Sequence, residues 1–274
     1  MSSIPAELES AAAAIHQADA LLIAAGAGMG VESGLPDFRG NDGFWKAYPP
    51  FKKLGLSFVQ VANPYWFHSD PEQAWGFYGH RRNLYRQATP HAGFSILRKW
   101  AERMPAGYFA FTSNVDGHFQ KAGFDGDRIV ECHGSLEFVQ CLKYCTTEVL
   151  PACDSAIDVD EATFRARPPL PACPRCGGLA RPNVLMFGDG EWIESRSEEQ
   201  HARYRDWLRR IRGSQLVIVE CGAGTAVPTV RWECERLVGT LIRINIREPQ
   251  VPRGQIGIEL GALNALSRID DLVG

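Results

Sequence analysis

Hydrophobic residues along the chain follow two alternating patterns. Short, continuous apolar runs occur at residues 20–25, 108–112, 128–131, 183–187, 215–220 and 241–246. Continuous apolarity is typical of strands that are covered on both faces. Segments with helical spacing lie between these runs, at residues 7–18, 71–87, 91–103, 197–211 and 229–237. Strands that alternate with helices predict an α/β fold with a Rossmann-like, doubly wound parallel sheet.

Two stretches interrupt this alternation and predict a smaller, discontinuous second domain. Residues 40–85 are rich in aromatics, Pro and Gly, and residues 136–181 contain two pairs of closely spaced cysteines. We expect these stretches to form a helical part and a four-cysteine zinc module of the small domain. The large, Rossmann-like domain would then comprise residues 1–39, 86–135 and 182–274.

Composition and charge are those of an ordinary globular protein of 274 residues, with 45% apolar residues, 22% charged residues and a net charge of −3. This balance gives no electrostatic reason to bind nucleic acid. The N-terminal segment lacks the positive charge of a secretory signal, and its apolar stretches are too short to span a membrane. We therefore expect a cytoplasmic protein that binds neither nucleic acid nor membranes.

Four of the eight cysteines form two short-spaced pairs, Cys141 with Cys145 and Cys173 with Cys176. In a cytosolic chain such pairs indicate a metal rather than disulfides. Four thiolates close a tetrahedral site and leave no position for water, so we expect one structural Zn. The first pair has three residues between its cysteines instead of the commoner two, which leaves Cys153 as an alternative ligand.

Two predicted strands end in Gly-x-Gly turns, at residues 26–28 and 222–224. Glycines at such strand ends let the backbone approach a pyrophosphate, and the next helix offers unpaired N–H donors. Neither turn completes the dinucleotide signature, because Val31 and Val227 occupy the third glycine position. A tight turn without a ligand is the competing interpretation of each. Two such turns on one sheet favour a dinucleotide over a mononucleotide.

Longer motifs, in order from about residue 20 to residue 260, resemble those of the sirtuin family. Residues 26–40, GAGMGVESGLPDFRG, resemble the family's GAGxS and SGxPDFRG signature. Further matches are TSNVDG at 112–117, CHGS at 132–135, RPNVLMFGD at 181–189, the turn at 222–228 and IN at 244–245. Four positions lack or shorten a polar side chain of the family pattern, namely Gly30, Ser113, Phe119 and Gly224, the last together with Ala223.

The resemblance implies an NAD-dependent protein lysine deacylase with NAD between the two domains. The implied NAD-binding residues are Gly26, Ala27, Gly28, Asp37, Phe38, Arg39, Ser113, Asn114, Asp116, Gly222, Gly224 and Asn245. Among these, Asn114 and Asp116 would hold the nicotinamide carboxamide and are, with His133, the implied catalytic residues. An imidazole titrates near neutrality, so His133 can take a proton from a ribose hydroxyl.

In the implied reaction an acyl-lysine oxygen attacks the ribose carbon and displaces nicotinamide, and a ribose hydroxyl attacks the resulting imidate. One water is consumed as lysine and O-acyl-ADP-ribose are released. The implied partner is an acyl-lysine protein or peptide, bound by Val184, Phe187 and Gly188. Tyr78 and Arg81, three residues apart on a predicted helix, resemble the pair that binds succinyl- or malonyl-lysine in desuccinylase-like sirtuins. A guanidinium and a phenol can together pair with a carboxylate. The competing interpretation packs Tyr78 and leaves Arg81 in solvent.

Three other functions stay open. An NAD hydrolase or a mono-ADP-ribosyltransferase would use the same nicotinamide-cleaving site without an acyl-lysine. A dehydrogenase would be expected to show a complete GxGxxG and an acidic residue about 20 positions further on. A non-catalytic NAD sensor, or a zinc-stapled interaction module, would keep the glycines but would not depend on His133.

Overall fold

The computed structural model describes residues 5–36 and 40–274, without the side chains of residues 40–42. The helices are α1 (Ala6–Gln17), α2 (Gly40–Ala47), α3 (Pro49–Lys53), α4 (Phe58–Val61), α5 (Trp66–Ser69), α6 (Pro71–Gln87), α7 (Ala92–Glu102), α8 (His118–Lys121), α9 (Ser195–Arg210), α10 (Thr229–Glu235) and α11 (Ala262–Val273). The strands are β1 (Ala20–Ala25), β2 (Tyr108–Thr112), β3 (Ile129–Glu131), β4 (Gly134–Cys141), β5 (Leu150–Pro151), β6 (Val159–Asp160), β7 (Arg165–Ala166), β8 (Ala180–Val184), β9 (Leu216–Cys221), β10 (Thr240–Ile244) and β11 (Ile256–Ile258).

Six strands form a parallel sheet in the order β11-β10-β9-β1-β2-β3. Strand β1 lies inside this sheet, and all six of its residues are buried because helices cover both faces. Apolar residues of α1, α7 and α11 pack on one face, and those of α9 and α10 pack on the other. The predicted doubly wound, Rossmann-like sheet is thereby confirmed.

A second hydrophobic cluster joins the aromatic helical segment to the cysteine-containing segment. Strand β4 pairs antiparallel with β5 and β8, and β6 pairs antiparallel with β7. Helix α6 approaches these strands closely: the Trp75 indole N–H donates to the Ala180 carbonyl at 2.9 Å. A Cβ on Gly76 would overlap the carbonyl of Phe164, so only glycine permits this approach. The two segments share one core, and the domain boundaries proposed for them stay a prediction.

One predicted strand was assigned to the wrong sheet. The apolar run at 183–187 was expected in the parallel sheet, but β8 ends at Val184 and pairs antiparallel with β4. Val184, Met186 and Phe187 of this run pack in the second cluster, and an apolar run does not reveal which sheet its strand joins. Strand β4 was not predicted, because its sequence, GSLEFVQC, contains several polar residues. Within the described ranges, no helix combines the length and hydrophobicity that crossing a membrane requires.

Candidate NAD site and four-cysteine module

The carboxyl ends of five adjacent parallel strands carry predicted site residues. In the order of the strands across the sheet, these residues are Asn245 after β10, Gly222 after β9, Gly26 after β1, Asn114 after β2 and His133 after β3. Ligands of open α/β sheets bind at this carboxyl edge. The residues expected at the two halves of a dinucleotide therefore form one continuous row, which we call the strand-end row.

The two glycine turns at the centre of this row touch through their backbones. The N–H groups of Gly26 and Gly28 donate to the carbonyls of Cys221 and Gly222, both at 3.0 Å. A Cβ on Gly26 would lie 2.6 Å from the Ala223 Cα. Gly222 has a φ of +64°, and a Cβ on it would lie 2.5 Å from the Gly28 Cα. Only glycine fits at these positions, and the bare backbone that results suits a bound diphosphate.

Asn245 and Glu248 support the second turn from the β10 side. The Asn245 Nδ2 donates to the Ala223 carbonyl at 2.8 Å, and its Oδ1 accepts the Glu248 N–H at 3.1 Å. The Glu248 carboxylate accepts from the N–H and the hydroxyl of Thr225, at 3.2 and 2.5 Å. A Cβ on Gly224 would lie 3.5 Å from Glu248 Oε2, so this carboxylate lines the space beside the missing side chain.

Asn114 and Asp116 lie at the β2 end of the row, as the motif predicts. The Asn114 Nδ2 donates to the Gly26 carbonyl at 3.0 Å, which fixes this end to the first glycine turn. Asp116 is 8% exposed, and one carboxylate oxygen accepts the His118 N–H at 2.9 Å. The backbone of Ser113, the residue directly before Asn114, hydrogen-bonds His133. The glycine turn, the amide and the carboxylate are thus held in fixed relation.

His133 is half-buried between the end of β3 and the segment after β8. Its carbonyl accepts the Leu185 N–H at 3.0 Å, and its Nε2 lies 3.4 Å from the Thr229 hydroxyl. Burial lowers the pKa of His133 below its ordinary value, because a charged imidazolium loses solvation there. The backbone hydrogen bond to Ser113 opposes this shift. The ring is therefore neutral at pH 7, the state in which it can accept a proton.

Asp37, Phe38 and Arg39, predicted on the loop that closes over the nicotinamide, lie outside the described residues. Ala27, the remaining predicted residue of the first turn, is exposed at the start of a short 3₁₀ turn, Ala27–Met29.

Phe119, one of the four positions that depart from the family pattern, is a core residue. Phe119 is buried in the core of the parallel sheet, with its ring centroid 5.2 Å from that of Phe94. His118, beside it, is also buried, and neither ring nitrogen has a hydrogen-bond partner in the described part of the chain. Burial lowers the pKa of His118 because the charged ring loses solvation, while the charge of the neighbouring Asp116 raises this pKa.

The segment after β8, predicted to bind the acyl peptide, runs alongside His133. Val184 is buried at the end of β8 and pairs with Gly134, next to His133. The Phe187 ring packs edge-on against Phe58, with centroids 5.8 Å apart. Gly188 is exposed with a φ of +68°.

A buried ion pair between Arg181 and Asp189 closes this segment. Both side chains are fully buried, and the Arg181 Nη1 donates to one Asp189 oxygen at 3.0 Å. The Arg181 Nη2 donates to the other oxygen and to the Val184 carbonyl. Asp189 also accepts the N–H groups of Met186 and Glu191, at 3.2 and 3.1 Å. Asp189 therefore shapes the segment.

Tyr78 and Arg81 lie together on α6, and both are buried. The Arg81 guanidinium lies 6.0 Å from the ring centroid of Tyr78 and 5.4 Å from that of Tyr85. Its Nε and Nη2 donate to the Tyr85 hydroxyl at 3.1 and 2.9 Å. Arg81 is 8% exposed, so the interpretation that left it in solvent is wrong. Burial raises the pKa of Tyr85, which lies near enough to Asp116 to be influenced by its charge.

The four predicted cysteines come together at the surface of the second core, with Cys141 and Cys173 buried and Cys145 and Cys176 exposed. Their sulfur atoms all lie within 4.8 Å of one another, with Cys141 and Cys176 3.7 Å apart and Cys145 and Cys173 3.6 Å apart. Tetrahedral zinc at about 2.3 Å from each sulfur needs sulfurs about 3.8 Å apart, so the four thiols fit this metal. Cys153 is not part of the cluster, because two arginines of α6 hold its carbonyl elsewhere.

Three residues of the site had no predicted role. Tyr85 follows Arg81 by four residues, so helical spacing could have placed it on the same face. Glu248 is three residues beyond the IN motif, where sequence alone gives no contact to the second turn. Thr229 was seen only as the start of a predicted helix, and nothing local connects it to His133, 96 residues away.

Two touching glycine turns and a row of polar residues at the carboxyl edge of a parallel sheet are typical of a Rossmann-like dinucleotide-binding protein. The model of the Sir2 family matches residues 26–211 of the sequence. The chain belongs to the Sir2 family.

Individual relatives agree with this assignment. An NAD-dependent protein deacylase of Aquifex aeolicus (strain VF5) is 34% identical over 176 residues, 63% of this chain and 63% of that protein. A probable bifunctional ADP-ribose hydrolase/ADP-ribosyltransferase of Fusarium oxysporum f. sp. cubense is 30% identical over 237 residues, 82% of this chain and 39% of that protein. The chain thus spans less than two thirds of either relative. The crystal structure of a Sir2 homolog–NAD complex matches with a TM-score of 0.71 and 26% identity, over 97% of this chain and 93% of that one.

Proposed function

We propose that this protein is an NAD-dependent protein lysine deacylase. The observation that carries the proposal is the strand-end row, which runs from Asn245, across two touching glycine turns, to the neutral His133. The Aquifex relative carries this activity in its name, and the matched Sir2 homolog was solved with NAD.

Each part of the row suits one part of the dinucleotide. The bare backbones of Gly26, Gly28, Gly222 and Gly224 suit the diphosphate, whose charge they approach without side chains. Asn245 suits the adenosine half, and Asn114 with Asp116 suits the nicotinamide carboxamide. The Asp116 carboxylate can accept the carboxamide N–H. Because hydrogen bonds already fix these side chains, binding needs little reorganisation.

Bound NAD would supply a ribose carbon that an acyl-lysine oxygen can attack as nicotinamide leaves. His133 would then take a proton from a ribose hydroxyl at its unprotonated Nε2. The lowered pKa of His133 keeps the ring unprotonated at neutral pH. The rate should therefore fall as the pH drops through the folded pKa of His133, which lies below 6.5.

We further propose that the enzyme prefers acyl groups that end in a carboxylate. The segment with Val184, Phe187 and Gly188 lies beside the base, and Arg81 and Tyr78 form a buried cationic and phenolic pair. A charge-assisted hydrogen bond to such a pair contributes about 1.5–3 kcal/mol. This corresponds to about a 10- to 150-fold advantage of succinyl-lysine over acetyl-lysine.

The four-cysteine cluster would hold a structural zinc. Four thiolates leave no open coordination position, so the metal would take no part in acyl transfer. Its ligands lie on β4 and on the loops at either end of the segment between β4 and β8. Zinc would therefore stabilise the module that carries the peptide-binding segment.

Mono-ADP-ribosyl transfer is the second candidate. The observation in its favour is the Fusarium relative, which aligns with 82% of this chain and whose name includes ADP-ribosyltransferase. The same row would bind NAD, and the acceptor would be a nucleophilic side chain of another protein.

The test uses zinc-loaded protein with NAD and a lysine peptide that is unmodified, acetylated or succinylated. Mass spectrometry follows nicotinamide and O-acyl-ADP-ribose. We expect O-acyl-ADP-ribose only with acylated peptides, and faster with the succinylated one. Nicotinamide released at equal rates with and without acyl peptide would contradict deacylation and favour hydrolysis or ADP-ribosyl transfer.

Variants assign the roles within this assay. His133→Ala should abolish turnover but keep ADP-ribose binding, whereas His201→Ala, a half-buried histidine on α9, should leave both unchanged. Arg81→Met should slow the succinylated peptide at least tenfold and spare the acetylated one. Tyr78→Phe, which removes only the phenolic hydroxyl beside Arg81, should act in the same direction. Equal loss on both peptides would exclude a carboxylate-binding role.

A further inference from the structure

The hydroxyl of Thr229 lies against the reacting edge of His133. The Thr229 Oγ1 is 3.4 Å from the His133 Nε2, within hydrogen-bonding distance. A second polar group, the Ser113 backbone, also acts on the ring and raises the pKa of His133. Polar groups from two separate segments therefore contact the imidazole.

The position of Thr229 is itself fixed. Thr229 is the first residue of α10, directly after Pro228, whose ring restricts the backbone at the helix start. Two residues later, the Arg231 Nε donates to the Ala223 carbonyl at 3.1 Å. The start of α10 is thereby tied to the second glycine turn, and the contact with His133 joins that turn to the base.

The two contacts favour a single tautomer of the neutral ring. A hydrogen bond that raises the pKa of a histidine is one that the ring donates, so the Ser113 backbone accepts an N–H of this ring. In the tautomer with this proton on Nδ1, Nε2 carries a lone pair, which can accept a hydrogen bond from the Thr229 hydroxyl. In the described part of the chain, burial and Ser113 are the causes that shift the pKa of His133.

We propose that Thr229 is a positioning residue for His133: its hydroxyl keeps the Nε2 lone pair directed at the cleft until a ribose hydroxyl replaces it. This inference rests on the proposed role of His133 as the base. Thr229 does not itself react, and acts through the orientation and tautomer of the ring.

The test compares Thr229→Val, which has nearly the same shape but no hydroxyl, with Thr229→Ser, which keeps the hydroxyl. Ring ¹⁵N spectra of the free protein give the tautomer and titration of His133, assigned with His133→Ala. We expect the wild type and Thr229→Ser to show one tautomer with the proton on Nδ1. Thr229→Val should show mixed tautomers and a higher titration midpoint, because a hydroxyl that donates to Nε2 stabilises the neutral ring and its removal favours the imidazolium.

Kinetics provide the second readout. Thr229→Val should lower kcat about tenfold, a loss of about 1.4 kcal/mol of transition-state stabilisation, with little change in KM for NAD. Thr229→Ser should restore kcat to within about twofold of the wild type. Ring signals that are unchanged in Thr229→Val, or a Thr229→Ser protein that behaves like Thr229→Val, would overturn the inference. The spectra need no turnover, so a wild type without deacylase activity would refute the proposed function and leave this test intact.

Discussion

Replacing Gly222 by alanine should push the two glycine turns apart and weaken the binding of ADP-ribose. Two separate effects act at this position. Its φ of +64° is in the left-handed region, which is strained for any residue with a Cβ. The new Cβ would also lie 2.5 Å from the Gly28 Cα, a backbone atom that cannot rotate away.

The size of each effect follows from the geometry. Left-handed strain costs about 1–2 kcal/mol, and overpacking typically costs about 1–3 kcal/mol. Carbon atoms pack at about 3.5–4.0 Å, so the turns must separate by about 1 Å. Gly222→Ala should therefore lower the free energy of unfolding by about 2–5 kcal/mol.

Two other glycines separate these effects. Gly254 has a φ of +85°, and a Cβ on it would meet nothing within 4 Å, so Gly254→Ala should show strain alone, about 1–2 kcal/mol. Gly26 has an extended backbone, but its Cβ would lie 2.6 Å from the Ala223 Cα. Gly26→Ala should therefore show overpacking alone, about 1–3 kcal/mol.

Urea unfolding gives the stabilities, and calorimetric titration with ADP-ribose gives the affinities. Gly254→Ala should bind ADP-ribose within about twofold of the wild type, whereas Gly26→Ala and Gly222→Ala should bind at least about tenfold more weakly, a loss of about 1.4 kcal/mol. The reasoning fails if Gly222→Ala is no less stable than Gly254→Ala and binds ADP-ribose normally.

Asp189→Asn should lower the free energy of unfolding in urea by about 3–5 kcal/mol, because Arg181 is left buried without its counter-charge. The double variant with Arg181→Met should lose less stability than Asp189→Asn alone. An equal or larger loss in the double variant would contradict this cause. Stability should also decrease as the pH falls through about 6.5, the ordinary histidine value, because burial lowers the pKa of His118 in the folded state and the unfolded chain binds more protons. His118→Leu should flatten the pH dependence of unfolding below about 6.5, and an unchanged slope would exclude this cause. Iodoacetamide should label Cys153 in the zinc-loaded protein, since it is exposed and Ser155 and Arg82 lower its pKa; mass mapping should find the four-cysteine cluster labelled only after chelation.

Periodicity predicted the parallel sheet well because its strands are buried on both faces. The strands at 20–25 and 108–112 have the bounds that their apolar runs indicated, and the helix at 71–87 begins with the Asp70 cap and Pro71. The prediction that residues 183–187 form a strand of the parallel sheet was wrong, because an apolar run next to a small antiparallel sheet has the same local pattern. Strand β4 was not predicted, because its buried polar residues find their hydrogen-bond partners only in the tertiary fold.

The site was predictable where it depends on backbone turns and on motifs with fixed spacing. The glycine turns, His133 and the four cysteines lie where the motifs indicated. Contacts between distant segments left no such signal. The Thr229 hydroxyl at His133 depends on how α10 is anchored, and the Glu248 carboxylate meets the Thr225 hydroxyl only because the loop after β10 lies against the second glycine turn. Such contacts follow from packing, which one sequence does not specify locally.

The order of the strands has a consequence for how products leave. Neighbouring strands are about 4.8 Å apart, so the four intervals from β10 to β3 separate Asn245 from His133 by about 19 Å. A ligand that touches both must lie extended across the sheet, and AMP or nicotinamide alone can occupy only one side. Cleavage next to the nicotinamide would leave the larger fragment held by the turns of β1 and β9, while the small fragment would keep only its contacts at the end of β2. We therefore expect nicotinamide to be released first and the ADP-ribose product last.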